Sequence, residues 1–156
     1  MHDRVRALNQ APLRPEAGYV LYRARRNRRV DANEALLHAA ARANELGLPL
    51  LFLEELSCGS PRANRRRHAF VLEGVEETAR RLKQAGIGYC FHLSPKPAGD
   101  GAAARALAVN AACVVTDDYP YGVETASGEV LCEAVDASCV VPMRSFSKRE
   151  YAARTI

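Results

Sequence analysis

The chain has no tryptophan among its 156 residues, and only 6% of it is aromatic. Broad flat apolar surface for stacking planar ligands is therefore scarce. No apolar run approaches the roughly 20 residues needed to span a bilayer. The opening MHDRVRALNQ lacks the apolar core of a signal peptide, so a cytoplasmic location is the expectation. Five cysteines, Cys58, Cys90, Cys113, Cys132 and Cys139, include no CxxC pair. An odd number without a secretory signal argues against a disulfide framework, and the spacing offers no zinc template. Cys90, Cys113 and Cys132 lie in or beside apolar strand candidates, where a thiol packs as a small hydrophobe.

Other absences narrow the chemistry. No GxGxxG follows the first strand and no GxxxxGK[ST] occurs, so dinucleotide and P-loop sites lack their usual glycines. GxSxG is missing, and His2, His38, His68 and His92 form no ligand spacing. Hydrolase and metalloenzyme readings have nothing to stand on. The net charge of +4 permits contact with phosphates without arguing for nucleic acid.

What is present is one domain's worth of ordinary globular sequence, 48% hydrophobic and 26% charged. Residues 1–17 carry two prolines and no sustained period, and read as an arm. The stretch YVLYRARRNRRVDANEALLHAAARANELGLPLLFL, from Tyr19 to Leu53, sets out strand, arginine burst, amphipathic helix and strand in succession. Asp31 reads as the helix N-cap, with Glu34 three positions on, and Gly47 as the residue past the helix end. A second helix from about Ala63 to Ala85 places Phe70, Val71, Gly74, Val75, Thr78 and Leu82 on one face. Further strands follow at 87–93, 112–116 and 130–135, with a short alanine-rich helix at 102–110 and a possible helical turn at 123–127. Alternating strands and helices predict an α/β, Rossmann-like, doubly wound sheet of five parallel strands in the order 3-2-1-4-5.

Such sheets bind ligands beyond the carboxyl ends of their strands. Arg23, Arg25, Arg26, Arg28 and Arg29 fall there, and bidentate guanidinium contacts could hold an anion. The competing reading has them lining a solvated loop and pairing with Asp31, Glu34 and other acids. Arg62, Arg65, Arg66 and Arg67 form a second basic cluster at a helix start, where cations oppose the macrodipole. Asp117, Asp118, Tyr119 and Tyr121 occupy the loop after the fourth strand. Asp117 could bind ribose or a metal, or could cap the following turn.

Taken together, these segments resemble the N-terminal domain of the DNA photolyases, most closely the class II cyclobutane pyrimidine dimer photolyases of the cryptochrome–photolyase family. YVLYRARRNRRVDANEALLHA is similar to the family's opening strand and helix, through Tyr19, Leu21, Tyr22, Arg26, Arg29, Asn33, Ala35 and Leu36. RRRHAFVLEGVEE resembles its second helix, VVTDDYP the loop around Asp117 and Pro120, and VDASCVVP with SFSKREYAARTI the exit from the domain. RVRALN resembles its arm. The resemblance implies an antenna-type domain that precedes a helical domain holding FAD and the damaged DNA, with a deazaflavin or folate pigment between them. It implies light-driven repair by the whole enzyme, none by this domain alone, and residues 143–156 as the start of the linker.

Candidate antenna or ligand contacts are Tyr22, Arg23, Arg25, Arg26, Asp117, Asp118 and Tyr119, with no catalytic residue and no metal ligand. Arg23, Glu34 and Arg144 stand where the family carries tryptophan, and Ser138-Cys139 replaces its His-Asn pair. A stand-alone nucleotide- or anion-binding module using Arg23–Arg29 and Asp117–Tyr121 is the alternative. A basic interaction domain is a third. Expected partners are the helical FAD domain and, in its company, damaged DNA. A homodimer through the face left bare is also open, and no membrane contact is expected.

Overall fold

The strand Tyr19–Ala24 is apolar along almost its whole length because it is covered on both faces. In the computed structural model, which describes residues 4–59, 63–94, 101–119 and 128–146, Val20, Leu21 and Tyr22 are wholly inaccessible. The elements are β1 (Val5–Ala7), β2 (Tyr19–Ala24), α1 (Glu34–Leu46), β3 (Leu50–Ser57), α2 (Arg65–Gln84), β4 (Gly88–Ser94), α3 (Ala102–Ala108), β5 (Ala111–Asp117) and β6 (Cys132–Val135). A short 3-10 turn follows at Met143–Ser145.

One sheet joins all six strands in the order β1-β6-β5-β2-β3-β4. Five strands run parallel, and β1 lies antiparallel on β6, pairing Val5 with Val135 and Ala7 with Glu133. The expectation of five parallel strands is corrected here: the sheet is mixed and has six. Part of the expected arm is recruited because it supplies the outer edge of β6. Arg4 fixes it there by donating to the carbonyls of Asp136, Cys139 and Val140 at 3.1, 2.7 and 2.8 Å. Three residues are too few to show a period in sequence.

β5 is buried at every position, which suits its place between β2 and β6. One face of the sheet packs Val20, Tyr22, Phe52, Cys113 and Val115 against Leu36 and Ala39 of α1 and Leu82 of α2. The other packs Leu21, Leu53 and Val114 against Ala104 of α3. Tyr22 and Phe52 meet edge-to-face, their centroids 5.0 Å apart. Burial pushes the Cys113 thiol up to about 12 and Cys132 to about 11, so both remain protonated packing groups.

The cap of α1 is Asn33, not Asp31: its Oδ1 accepts from the amides of Ala35 and Leu36, both at 3.1 Å. Asp31 instead pairs with Arg81 of α2. Gly47 closes the helix at φ 65°, the left-handed conformation that a side chain would oppose. On α2 the packed stripe is Val71, Val75, Thr78 and Leu82; Gly74 and Phe70, expected with them, are exposed, Phe70 at 77%. One position off the stripe is about 100° around the helix, enough to turn the ring into solvent. The expected turn at 123–127 lies outside the described residues. Among those residues, no helix is long and apolar enough to cross a membrane.

Candidate functional site

At the carboxyl ends of β2 and β5 the geometry centres on Asp117, the last residue of β5. Its Oδ2 accepts the backbone N–H groups of Arg25, Arg26 and Asn27 at 2.9, 2.5 and 2.9 Å, and its Oδ1 accepts the Tyr22 hydroxyl at 2.9 Å. Three successive amides converging on one carboxylate oxygen form a nest that only an anion satisfies. Asn33 extends the network: its Nδ2 donates to the Tyr22 hydroxyl at 3.0 Å and to the Arg29 carbonyl at 2.9 Å. Burial, reinforced by the Asp117 charge, holds the Tyr22 phenol well above its usual range, so it stays a neutral donor. A carboxylate on β5 thus shapes the β2–α1 loop 92 positions earlier in the chain. Asp117 thereby ties the end of β5 to the β2–α1 loop.

The arginine burst is largely absorbed by the fold. Arg23 Nε meets Glu55 Oε2 at 2.9 Å, with both side chains mostly buried. Arg28 reaches Glu54 Oε1 at 2.7 Å and the Glu55 carbonyl at 3.0 Å. The Tyr89 hydroxyl takes the second oxygen of Glu54 at 2.8 Å, and burial ahead of that carboxylate raises the Tyr89 phenol above its usual range. Arg29 Nε donates to Asn27 Oδ1 at 3.0 Å. Arg26 is exposed and lies over the Tyr119 ring, 4.9 Å from its centroid. Asp118 is held by Arg6 in a two-pronged pair, both bonds 2.8 Å, and that guanidinium keeps its carboxyl below the usual range.

The sequence candidates therefore meet at one end of the sheet, in different states. Tyr22 is inside the core with its hydroxyl engaged, and Asp117 and Asp118 serve internal partners. Arg25 and Tyr119 are half-buried, and Arg26 faces solvent. Tyr121 lies outside the described residues. Two buried polar atoms at this end have no hydrogen-bond partner among the described residues, Nδ2 of Asn27 and Oε1 of Glu55. Among those residues no group of three or more His, Cys, Asp or Glu side chains could hold a metal ion.

A second polar cluster ties α1 to β6. Glu133 accepts from Arg42 at 2.6 and 3.0 Å and lies 2.8 Å from His38 Nε2. Burial alone would raise its carboxyl, but the bonds from His38 and Arg42 outweigh it and hold Glu133 at about 2. Sequence reasoning passed over this cluster and the Glu54–Glu55 pair. The available signal was an acid inside an apolar run, LFLEEL and VLCEAV.

The DNA photolyase family model matches residues 20–156. The deoxyribodipyrimidine photo-lyase of Methanothermobacter thermautotrophicus is 29% identical over 161 residues, an alignment spanning 98% of this chain and 35% of that protein. The chain thus spans about a third of the length of this curated relative. Among solved structures, the universal stress protein from Archaeoglobus fulgidus is similar at 18% identity and a TM-score of 0.45, over 72% of this chain and 87% of that one. The same protein in complex with dAMP gives 19% and 0.44, over 64% and 80%. With a family match reaching from the core of β2 to the last residue, this chain belongs to the DNA photolyase family, as its N-terminal α/β domain.

Proposed function

We propose that this domain is the antenna-type part of a light-driven enzyme, most like the class II members, that splits cyclobutane pyrimidine dimers in DNA. FAD and the damaged DNA are held by a helical domain elsewhere in the polypeptide, and repair takes place in the cytoplasm. The family match over residues 20–156 carries this reading. The carboxyl-end geometry supports an accessory role, because Asp117, Asp118, Glu54 and Glu55 all bind groups of their own domain. A planar, anionic pigment of the deazaflavin or folate type would find there the guanidinium groups of Arg25 and Arg26 and the ring of Tyr119. Bound there, the pigment would collect blue light; this chain's residues would only hold and orient it.

The experiment is repair of an oligonucleotide carrying one thymine dimer, under blue light and in darkness. The product of the whole reading frame is expected to split the dimer only in light, and residues 1–156 to split none. Absence of light-dependent repair by an FAD-loaded full product would overturn the enzymatic reading. Fluorescence titration of residues 1–156 with a deazaflavin and a folate tests the pigment separately. Arg26→Ala is expected to weaken the bound pigment by about tenfold, the loss of one exposed charged contact and its stacking. Equal affinity of Arg26→Ala and the parent would remove Arg26 from the site.

A further inference from the structure

Asp117 is a costly acid to keep inside a fold. It is 4% exposed. Its four donors, the amides of Arg25, Arg26 and Asn27 and the Tyr22 hydroxyl, are all neutral groups. A buried carboxylate bound in that way gives up its water and gains no cation from these partners. What the domain gains is a fixed backbone. Three successive amides reach one oxygen only if the chain curls around it, so those residues lose their conformational freedom before any ligand arrives.

The residues on this curl are those of the proposed pigment site. With its amide turned in toward Asp117, Arg26 sends its side chain outward, the guanidinium 4.9 Å from the centroid of the Tyr119 ring. Tyr119 stands two positions beyond Asp117, so one residue governs both halves of that contact. The flanks are held as well. Asp118 gives its amide to the Val135 carbonyl at 2.8 Å and its carboxylate to Arg6. On the other side Arg28 is tied to Glu54, and the Arg29 carbonyl to Asn33. Arg25 and Arg26 thus lie between two anchored stretches.

We propose that Asp117 is a positioning residue for the pigment: it touches no ligand, but fixes the backbone of Arg25 and Arg26 so that their guanidinium groups stand ready beside the Tyr119 ring. The inference rests on the pigment reading above and adds to it the residue that sets the pigment's place. A site ordered in advance loses less of its binding energy to ordering itself. Because one carboxylate locates charge and ring together, its removal alters the orientation of the pigment as well as its affinity.

A deazaflavin and a folate are titrated into the chain by fluorescence, and circular dichroism at the pigment's own absorption band reports its orientation. Asp117→Asn is expected to weaken binding about tenfold, to alter that dichroism, and to speed hydrogen exchange at the amides of Arg25, Arg26 and Asn27. Tyr22→Phe, which withdraws only the hydroxyl, is expected to weaken binding about threefold, and decides the matter if Asp117→Asn does not fold. Glu133→Gln, which disrupts a buried carboxylate network on β6, is expected to leave pigment affinity and dichroism unchanged. Added to Arg26→Ala, Asp117→Asn is expected to remove less affinity than it does alone, as for two residues acting through one contact. Asp117→Asn with the parent's affinity and dichroism would overturn the proposal; where it does not fold, Tyr22→Phe with the parent's values would do the same. So would equal weakening by Glu133→Gln, or losses that add in full on Arg26→Ala. A parent chain that binds neither pigment would overturn the pigment reading itself, and this inference with it.

Discussion

Asp117 does its work because its charge is used up. One oxygen accepts three consecutive amides and the other a buried phenol, so nothing in the nest is left for solvent. Asp117→Asn keeps the shape but turns an amide toward donors that need an acceptor, and removes the charge that strengthens those bonds. A loss of about 3 kcal/mol in unfolding free energy is expected, read from urea denaturation, the range for breaking a buried charged network. A loss near zero would mean that the loop holds itself. The loop around the nest was only half legible in the sequence. Strand-end position marked Asp117 as a residue of consequence, but the amides it binds belong to the backbone, and backbone donors leave no mark on residue identity. Asn33 is similar: a capping residue looks the same in sequence whether or not its amide also serves Tyr22.

At the scale of elements, Glu133 links α1 to β6 through His38 and Arg42. Its carboxyl sits at about 2 in the folded chain against an ordinary 4.5. A depressed value means that the folded form favours the ionised group, so its stabilisation is complete above about pH 4.5 and fades as the pH falls toward 2. Asp118 beside Arg6 is shifted the same way and acts in the same direction. The melting temperature is expected to drop through this acid window. Glu133→Gln should flatten the profile there while lowering the plateau at neutral pH. A mutant profile parallel to that of the parent would clear Glu133 of the effect. The elements themselves were largely legible. β2 and β5 announce themselves as apolar runs because both their faces are covered, and α1 by its alanine and leucine spacing and Gly47. β1 and the true face of α2 were not. A three-residue edge strand has no period, and Phe70 looks apolar in any register although α2 turns it outward.

For the whole molecule, the order of the strands in space departs from their order in the chain. β2, made early, ends in the middle of the sheet, and β1, made first, finds its partner in β6 near the other end. Residues 4–110 therefore hold β2 with one side bare and β1 with no strand to join. That fragment is expected to melt without a cooperative transition, followed by far-UV circular dichroism; a sharp transition would show that β5 and β6 are dispensable. The carboxyl-end site was legible as a location, from the rule that parallel sheets work at that end. Its occupancy by internal ion pairs was not, because Glu54 and Glu55 meet Arg28 and Arg23 only once β2 and β3 lie side by side.

The Asp117 nest also bears on time. Its two halves are 92 positions apart, so the loop that begins at Arg25 cannot settle until the chain has been made and folded as far as the end of β5. At a synthesis rate of about 5–20 residues per second, that leaves β2 with a bare edge for several seconds on the ribosome. A strand at the centre of the finished sheet is thus, during its birth, the one most in need of shelter.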